Sequence, residues 1–345
     1  MKVKFKTNIS LSNLTTFGAG GVAKYFVDVS NKSELVKVVD FAKEKKLPIL
    51  ILGGGSNVLI SDKEFPGLVI RYKAKKVLFK KQGKSMLVIA DAGLNWDVLV
   101  AKSVRKGLQG IECMSGIPGT VGAAPVQNIG AYGQELKDVF VKLVAYDLKK
   151  GEFQTFDKKK CEFSYRESTF KKSKNRNRYI IINVVLRLRK NSQPTLVYQS
   201  LLDYLKEKKI NNPSLQKVRN AVLELRKRKL EDPKKLGNAG SFFKNPFVKK
   251  HTLSKLLKRY PDLPYQKESD NKYKLFAAWL INKAGWRGKV LGRAMVSEKN
   301  PLVITNPNRK ASADEIKKLS EKIKKDIKKK FGVELETEVQ FTNFV

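Results

Sequence analysis

The sequence predicts an α+β protein with more than one domain. Its 345 residues are enough for two or three domains with buried cores. Paired segments of alternating hydrophobicity, typical of β-hairpins, are interspersed with segments of helical periodicity. The density of charge peaks at residues 226–229, and Glu231-Asp232-Pro233 follows, which indicates a junction between domains.

The first elements alternate between strands and a helix. Residues 24–29 predict a strand, and Ser33 is predicted to cap the following helix, whose apolar residues recur at helical spacing. Residues 47–52 and 58–60 are continuous apolar runs, which suit buried strands.

Two hairpins and a helix are predicted in the middle of the chain. Residues 76–90 alternate on either side of a Gln-Gly turn, and residues 139–147 and 152–156 flank a second turn. Residues 95–107 predict a helix, and residues 179–188 predict a strongly β-branched strand.

The last third is predicted to be richer in helix. Helical periodicity marks residues 199–209, 213–228 and 274–284. Ser312 and Glu315 form a capping box that opens another helix, which Gly332 closes. Residues 333–341 predict a final strand.

Charge composition narrows the classes of function. A formal net charge of +39 suits a partner such as nucleic acid. However, the positive charge comes from 57 Lys and only 14 Arg, and planar recognition of phosphates and bases prefers Arg. An acidic small-molecule substrate fits the charge as well, and we expect no specific nucleic-acid partner.

The numbers of cysteines and histidines and the lengths of the apolar runs indicate where the protein is located and which metal sites it can form. Cys113 and Cys161 form no CxxC pair, which predicts a reducing cytoplasm. His251 is the only histidine, so a metal site with several histidines is excluded. The N-terminus lacks the apolar region of a signal peptide, and no apolar run approaches the roughly 18 residues of a membrane span. We expect a cytoplasmic protein without a membrane partner and without a bound metal.

Three consecutive glycines follow a buried strand in the triple-glycine loop, residues 53–57, Gly-Gly-Gly-Ser-Asn. Such a loop lets several backbone N–H groups converge on a phosphate, and it is equally typical of a tight turn without a ligand. The spacing differs from the GxGxxG pattern of dinucleotide-binding folds, and no helix pattern opens directly after it.

The glycine segment, residues 115–133, carries five glycines and no charge. From residue 107 to residue 136 the chain has no Lys or Arg, although 71 of its 345 residues are basic. Glycine permits positive φ and close approach of backbone to another surface. The residues alone leave two interpretations open, a loop covered by a ligand and a buried loop with a structural role.

Eight short motifs in order give the sequence a family resemblance. They are Thr16-Phe17-Gly18, residues 52–57, Ala92-Gly93-Leu94-Asn95-Trp96, residues 115–133, Phe163-Ser164-Tyr165-Arg166-Glu167-Ser168, residues 237–246, Ala284-Gly285-Trp286 and residues 335–339. From about residue 14 to residue 338 the chain resembles the UDP-N-acetylenolpyruvoylglucosamine reductase family, flavoenzymes of peptidoglycan precursor synthesis.

The resemblance implies a fold and a division into domains. It implies a two-subdomain FAD-binding module of the vanillyl-alcohol oxidase (PCMH) type and a separate α+β substrate-binding domain. Subdomain 1 is expected at residues 1–71, subdomain 2 at residues 72–225 with 331–345, and the substrate-binding domain at residues 226–330. We expect a monomer.

The resemblance also implies non-covalent FAD, with NADPH as the reductant. The residues expected to bind FAD lie in the triple-glycine loop and the glycine segment: Gly53, Gly54, Gly55, Ser56, Asn57, Ser115, Gly116, Ile117, Pro118, Gly119, Thr120, Gly122, Ala123, Asn128, Gly130, Ala131 and Tyr132. Backbone N–H donors on glycines suit a diphosphate. The interpretation of both segments from their residues alone therefore agrees with the role that the resemblance implies.

In this family hydride passes from flavin N5 to the vinyl carbon of an enolpyruvyl sugar nucleotide, which gives UDP-N-acetylmuramate. Arg166 matches the active-site arginine, whose permanent charge can hold the substrate carboxylate. Glu338 matches a catalytic glutamate, expected to act at the same group with a raised pKa or a bridging partner. Ser241 matches the proton donor; from its neighbours alone, a helix N-cap fits equally well.

Substrate contacts are implied for three residues. Tyr198 matches a tyrosine that covers the substrate in one type of the family, and Lys229 and Asn245 match residues that contact the sugar nucleotide. Asn300 and Gln340 depart from residues common in the family. Two other classes stay open: a related FAD-dependent oxidase or dehydrogenase with another substrate, and a basic nucleic-acid-binding protein.

Overall fold

A computed structural model describes residues 3–344 of the chain. Its strands are β1 (Lys6–Ser10), β2 (Val22–Val29), β3 (Ile49–Ile51), β4 (Val58–Ile60), β5 (Phe65–Tyr72), β6 (Val77–Gln82), β7 (Ser85–Asp91), β8 (Leu108–Gln109), β9 (Gly130–Ala131), β10 (Gln134–Glu135), β11 (Phe140–Asp147), β12 (Glu152–Asp157), β13 (Tyr179–Lys190), β14 (Gly237–Ser241), β15 (Phe247–Val248), β16 (Tyr265–Ser269), β17 (Lys272–Leu275), β18 (Val290–Leu291), β19 (Ala294–Val296), β20 (Val303–Asn306) and β21 (Gln340–Thr342). Its helices are α1 (Lys32–Glu44), α2 (Trp96–Arg105), α3 (Leu136–Val139), α4 (Lys158–Cys161), α5 (Gln199–Glu207), α6 (Leu215–Lys229), α7 (Lys250–Arg259), α8 (Ala277–Lys283) and α9 (Ala313–Phe331).

The chain forms two compact units. The first contains the chain up to Ile9, Ala23–Gly55 and Phe65–Arg228, and the second contains Ser10–Val22, Ser56–Glu64 and the chain from Lys229 onward. The predicted division into three domains stays a prediction. Its C-terminal segment, residues 331–345, groups with the second unit.

The first unit begins with a four-stranded sheet in the order β1-β2-β5-β3, in which β5 runs parallel to both β2 and β3. Helix α1 buries Leu35, Val38, Val39 and Ala42 in the core beside this sheet. Its N-cap is Asn31, whose side chain accepts from Glu34 N at 2.9 Å. Ser33 lies inside the helix, so the prediction of Ser33 as the cap was wrong by two residues.

A second, antiparallel sheet of the first unit follows the order β12-β11-β13-β7-β6, with β8 added to β13. Both predicted hairpins are confirmed here, and β13 is the predicted β-branched strand. Helix α2 buries Trp96, Leu99, Val100 and Val104, the residues that its helical spacing predicts. Helices α5 and α6 pack their apolar residues around buried Cys113.

The described part of the second unit combines three sheets with the helices α7, α8 and α9. One sheet has the order β14-β20-β19-β18, another has the order β15-β17-β16, and β21 pairs with β4 in parallel. Helix α9 opens at Ser312 with the predicted capping box and ends at Gly332 with φ +66°, and its apolar face enters the core.

Two predicted elements of the second unit are present with different bounds. The helix predicted at residues 274–284 begins only at Ala277, because Lys272–Leu275 pairs with β15 and β16 as a strand. The final strand predicted at residues 333–341 is confined to Gln340–Thr342, and the residues before it contribute only an isolated bridge between Thr337 and Phe243.

Candidate active site

The triple-glycine loop and the glycine segment touch each other in the first unit. A Cβ added at Gly54 would lie 3.0 Å from Gly119 Cα, and one added at Gly53 would lie 3.2 Å from Thr120 Oγ1. Two segments far apart in sequence, both predicted to bind FAD, therefore form one surface. A side chain at Gly54 would have to displace the backbone of Gly119, so glycine favours this close approach.

Five backbone N–H groups in or next to this contact have no protein acceptor among the described residues. Within residues 3–344, no protein group accepts a hydrogen bond from the N–H groups of Gly53, Gly54, Ile117, Gly119 and Thr120. None of these five residues is fully buried, so a ligand can reach the surface that they form. Convergent backbone N–H groups are the donors that bind a diphosphate, so the arrangement fits FAD.

Other N–H groups of the glycine segment are already bonded to protein. Val121 N donates to Leu94 O at 2.9 Å, and Gly122 N donates to Ala92 O at 2.9 Å. A Cβ at Gly122 would lie 2.5 Å from Ala92 Cβ, so this glycine is required by packing. Part of the segment therefore has a structural role, and the interpretation of the rest as a loop covered by a ligand stays a prediction.

Asn128 belongs to the structural part of the glycine segment. It is fully buried, its φ is +45°, and its amide donates to Glu135 Oε2 at 3.2 Å and Ser164 O at 3.0 Å. Its Oδ1 accepts from Lys137 N at 2.9 Å. Its predicted role at FAD remains a prediction, and the observed contacts hold the loop.

Sequence reasoning missed an ion pair that holds the start of the glycine segment. Asp97 receives two hydrogen bonds from Arg219, at 2.6 and 2.7 Å, and one from Gly116 N at 2.6 Å. Burial raises the pKa of Asp97, but the hydrogen bonds from Arg219 and Gly116 outweigh burial and leave the pKa below its usual value. Nothing in the sequence links residue 97 to residue 219, because the contact arises only when α6 packs against this loop.

Tyr132 and Tyr198, predicted for cofactor and substrate, lie together. Their ring centroids are 5.3 Å apart with an interplanar angle of 77°, an edge-to-face pair. Tyr198 is 43% exposed, and burial raises the pKa of Tyr132. A Cβ at Gly133 would lie 2.3 Å from Val197 Cγ2, so this glycine lets the segment of Tyr198 approach.

Arg166 is held against the glycine segment. Its Nη2 donates to Gly130 O at 2.7 Å, and its guanidinium lies 5.2 Å from the centroid of the Tyr165 ring. It occupies a tight turn in which Ser164 and Glu167 exchange backbone hydrogen bonds, and its own φ is +54°. Positive φ is costly for a residue with a side chain, and such strain is concentrated at functional sites.

The second unit brings three predicted residues together. Glu338 N donates to Phe242 O at 2.8 Å, which sets Glu338 beside the residue that follows Ser241. Asn57 Nδ2 donates to Glu338 O at 3.2 Å, and Gln340 N donates to Asn57 O at 3.1 Å. These hydrogen bonds thus join Asn57, the Ser241 segment and the Glu338 segment within the second unit.

Ser241 is the last residue of strand β14 and does not cap a helix, since the next helix, α7, begins at Lys250. The alternative interpretation as an N-cap is therefore wrong. Gly240, with φ +71°, has no described atom within 4 Å of its Cβ position, so the surface before Ser241 is open.

Lys229 and Asn245 are not joined to these groups. Among the described residues, neither is hydrogen-bonded to another predicted site residue. Lys229 is exposed at the end of α6, and Asn245 Oδ1 accepts from Ala277 N at 3.0 Å at the start of α8. The observed role of Asn245 is to hold this helix end.

Within residues 3–344, no helix has both the length and the apolar content needed to span a bilayer. The same residues contain no group of three or more His, Cys, Asp or Glu side chains placed to hold a metal ion.

Known proteins match the chain along its length. The profile of the UDP-N-acetylenolpyruvoylglucosamine reductase C-terminal domain matches residues 232–342, and that of an FAD-binding domain matches residues 23–157. UDP-N-acetylenolpyruvoylglucosamine reductases of Pseudomonas aeruginosa and Flavobacterium johnsoniae are each 39% identical over 339 residues, covering 98% of this chain and 99% of theirs. The crystal structure of the reductase from Thermus caldophilus aligns with a TM-score of 0.68 at 24% identity, covering 99% of both chains.

The fold and these segments define an FAD-dependent oxidoreductase of α+β class, as predicted. The chain belongs to the UDP-N-acetylenolpyruvoylglucosamine reductase family. The residues alone left open a reductase of this family, a related FAD-dependent oxidase or dehydrogenase, and a nucleic-acid-binding protein. Family membership favours the reductase.

Proposed function

We propose that the protein uses NADPH and bound FAD to reduce UDP-N-acetylglucosamine enolpyruvate to UDP-N-acetylmuramate. Relatives 39% identical over almost the whole chain bear the name of this activity. One structural observation supports it above the others, the cluster of backbone donors where Gly53 and Gly54 meet Gly119 and Thr120. In this proposal those donors hold the FAD diphosphate.

When bound, FAD supplies hydride transfer, and the chain supplies binding, charge and a proton. Arg166 is the cation proposed to hold the substrate carboxylate as negative charge builds on it. Its bond to Gly130 O and its turn fix the guanidinium before substrate binds, so little reorganisation is needed.

Ser241 Oγ is proposed to donate the proton to the carbon beside the carboxylate. A serine hydroxyl is a weak acid, so it needs a neighbour that stabilises the alkoxide or returns the proton. Glu338 is proposed to act at the same carboxylate by hydrogen bonding, and its main-chain bond to Phe242 keeps it beside the Ser241 segment. Tyr198, Lys229 and Asn245 are the proposed substrate contacts.

Cytoplasmic location, a monomeric state and the absence of nucleic-acid and membrane partners complete the proposal. The small UDP-sugar substrate is the partner that the family relationship supports.

The visible spectrum of the purified protein tests the proposal. We expect a yellow protein whose flavin absorbance bleaches with NADPH in the absence of oxygen and returns when the enolpyruvyl sugar nucleotide is added. Denaturation should release free FAD. A colourless protein would contradict FAD binding, and bleaching without recovery on adding substrate would contradict the reductase activity.

A further inference from the structure

Strand β14 has one residue more than its partner strand between Asn238 and Ser241. Asn238 lies opposite Thr305 and Ser241 lies opposite Val303, so three steps along β14 match two steps along β20. Such an extra residue is a β-bulge, and Gly240 within it has φ +71°, in the left-handed region that glycine adopts readily. A bulge therefore directly precedes the proposed proton donor.

The bulge decides from which face of the sheet Ser241 projects. Side chains alternate between the two faces of a strand, so Val303 and Thr305, two residues apart, share one face. The register puts Asn238 and Ser241 on that same face. In a regular strand they would lie on opposite faces, because they are an odd number of residues apart. Loss of the bulge would therefore turn Ser241 toward the other side of the sheet.

The side chain of Asn238 holds this bulge. Its Oδ1 accepts from Gly240 N at 2.9 Å, and its Nδ2 donates to Leu236 O at 2.7 Å. The extra residue of a bulge is left unpaired by the ladder, so a side-chain acceptor replaces the one that strand pairing would supply. Asn238 is only 4% exposed, and its own N–H donates to Thr16 O at 3.1 Å. It is therefore a fixed support for the bulge.

The backbone after Ser241 is fixed by a different means. Phe242 is fully buried, its N–H donates to Leu302 O at 2.7 Å, and its carbonyl accepts from Glu338 N at 2.8 Å. The hydroxyl of Ser241 itself is bonded to no protein group within residues 3–344. Its position is therefore set by the backbone on its two sides, which Phe242 holds on one side and the Asn238 amide on the other.

We propose that Asn238 is a positioning residue for proton transfer, whose amide keeps the bulge that directs Ser241 Oγ at the carbon to be protonated. The inference rests on the proposed function, because it takes Ser241 as the proton donor. In that step the O–H bond of Ser241 breaks, a C–H bond forms beside the carboxylate, and the alkoxide takes a proton back from water. Asn238 acts through the backbone of Gly240 and does not touch the substrate.

The expected size of the effect follows from the geometry of proton transfer. Donor and acceptor atoms must approach to about 2.6–3.2 Å. A displacement of about 1 Å, caused by a change away from the reacting atoms, can slow a step by about 100-fold. Loss of the Asn238 amide should therefore slow protonation without affecting the transfer of hydride from NADPH to the flavin.

Anaerobic stopped-flow measurement of the two half-reactions tests the assignment, at saturating substrate. We expect Asn238→Ala to be reoxidised by the enolpyruvyl sugar nucleotide about 10- to 100-fold more slowly, with flavin reduction by NADPH unchanged. A serine hydroxyl can accept a hydrogen bond from the N–H two residues further on, so Asn238→Ser should recover part of the rate. Thermal unfolding shows whether each variant is folded, and Asn238→Ser, with its smaller slowing, carries the comparison if Asn238→Ala does not fold.

A double variant distinguishes the positioning of Ser241 from a general effect on the fold. If Asn238 acts through the serine hydroxyl, Asn238→Ala should change reoxidation little in a protein that already carries Ser241→Ala. Asn306→Ala is the matched control, because Asn306 is fully buried on the neighbouring strand and its amide donates to backbone carbonyls of Phe17 and Ala311. Its loss should lower thermal stability and leave both half-reactions of the folded protein unchanged.

Equal slowing by Asn238→Ala with and without the Ser241 hydroxyl would overturn the inference. So would an unchanged rate of reoxidation in the folded variants at Asn238. Failure of the proposed function looks different: either the natural sequence would not regain its flavin absorbance when substrate is added, or Ser241→Ala alone would be reoxidised at the natural rate.

Discussion

The glycine surface of the first unit and the Ser241 and Glu338 segments of the second unit are constrained in different ways. In the glycine surface, residue types are set by close packing, as in the approach of Gly54 to Gly119 and of Gly122 to Ala92. Around Ser241 and Glu338, main-chain hydrogen bonds set the position of the backbone. Substitutions in the first region should therefore affect folding and cofactor binding together, whereas substitutions in the second should affect chemistry alone.

The largest effect is expected from Ser241→Ala. In the proposed mechanism this variant lacks the general acid that protonates the intermediate, and loss of a general acid slows such a step by about 10²- to 10⁴-fold. Flavin reduction by NADPH and thermal stability should not change. Anaerobic stopped-flow measurement of each half-reaction checks this. Ser254→Ala, at an exposed position on α7, is the control, and fast reoxidation of Ser241→Ala by substrate would refute the role of the serine.

Gly122→Ala should destabilise the first unit. The added methyl group lies 2.5 Å from Ala92 Cβ and 3.2 Å from Ala92 backbone, so the two segments must separate. Overpacking of this kind costs about 1–3 kcal/mol. Denaturant unfolding measures it, and FAD affinity should fall with stability. Gly83→Asn is the matched control, because Gly83 has open space around it and Asn tolerates its φ of +57°. Equal stability of the two variants would count against the packing role.

Asp97→Asn should lower the free energy of unfolding by about 1–2 kcal/mol, a value between those for exposed and buried ion pairs. Because the folded pKa of Asp97 is lowered, its contribution is present above the unfolded pKa of about 4 and is lost as pH falls through the folded pKa. The stability difference between the two proteins should stay constant from neutral pH to about pH 5 and shrink below about pH 4.

Urea unfolding across this pH range measures that difference. Asp270→Asn removes a fully exposed carboxylate and should change stability little at any pH. A stability difference between the natural sequence and Asp97→Asn that grows as pH falls would contradict the lowered pKa of Asp97.

The smallest effect is expected from Tyr198→Ala. It removes an edge-to-face contact with Tyr132, worth about 0.5–1.5 kcal/mol, and with it the proposed cover over the substrate. KM for the sugar nucleotide should rise up to about tenfold while flavin reduction by NADPH is unchanged. Tyr265→Ala, another exposed tyrosine, should leave KM unaltered. A KM for Tyr198→Ala equal to that of the natural sequence would remove Tyr198 from the substrate site.

Local patterns predicted much of the fold. The hairpins, the inward residues of α2 and the capping box of α9 depend on neighbours in sequence, and all are confirmed. Strand β5 was not predicted, although it joins β2 and β3 in parallel, because such pairing is non-local. Ser33 was predicted as a cap in place of Asn31 because both residue types can cap, and only the backbone selects one.

Some residues of the candidate site could be predicted from the sequence, and others could not. The gap in basic residues marked the glycine segment correctly as unusual, but it could not separate outward donors such as Gly119 N from bonded ones such as Gly122 N. Ser241 and Glu338 carry no local signal and were found only through family resemblance. Asp97 and Arg219 were missed, because their ion pair arises from the packing of α6 on a distant loop.

A crystal structure of the protein with FAD bound tests whether the glycine surface holds the diphosphate. We expect diphosphate oxygens within about 3 Å of backbone N–H groups among Gly53, Gly54, Ile117, Gly119 and Thr120. A diphosphate bound elsewhere, with these five groups hydrogen-bonded only to water, would contradict it.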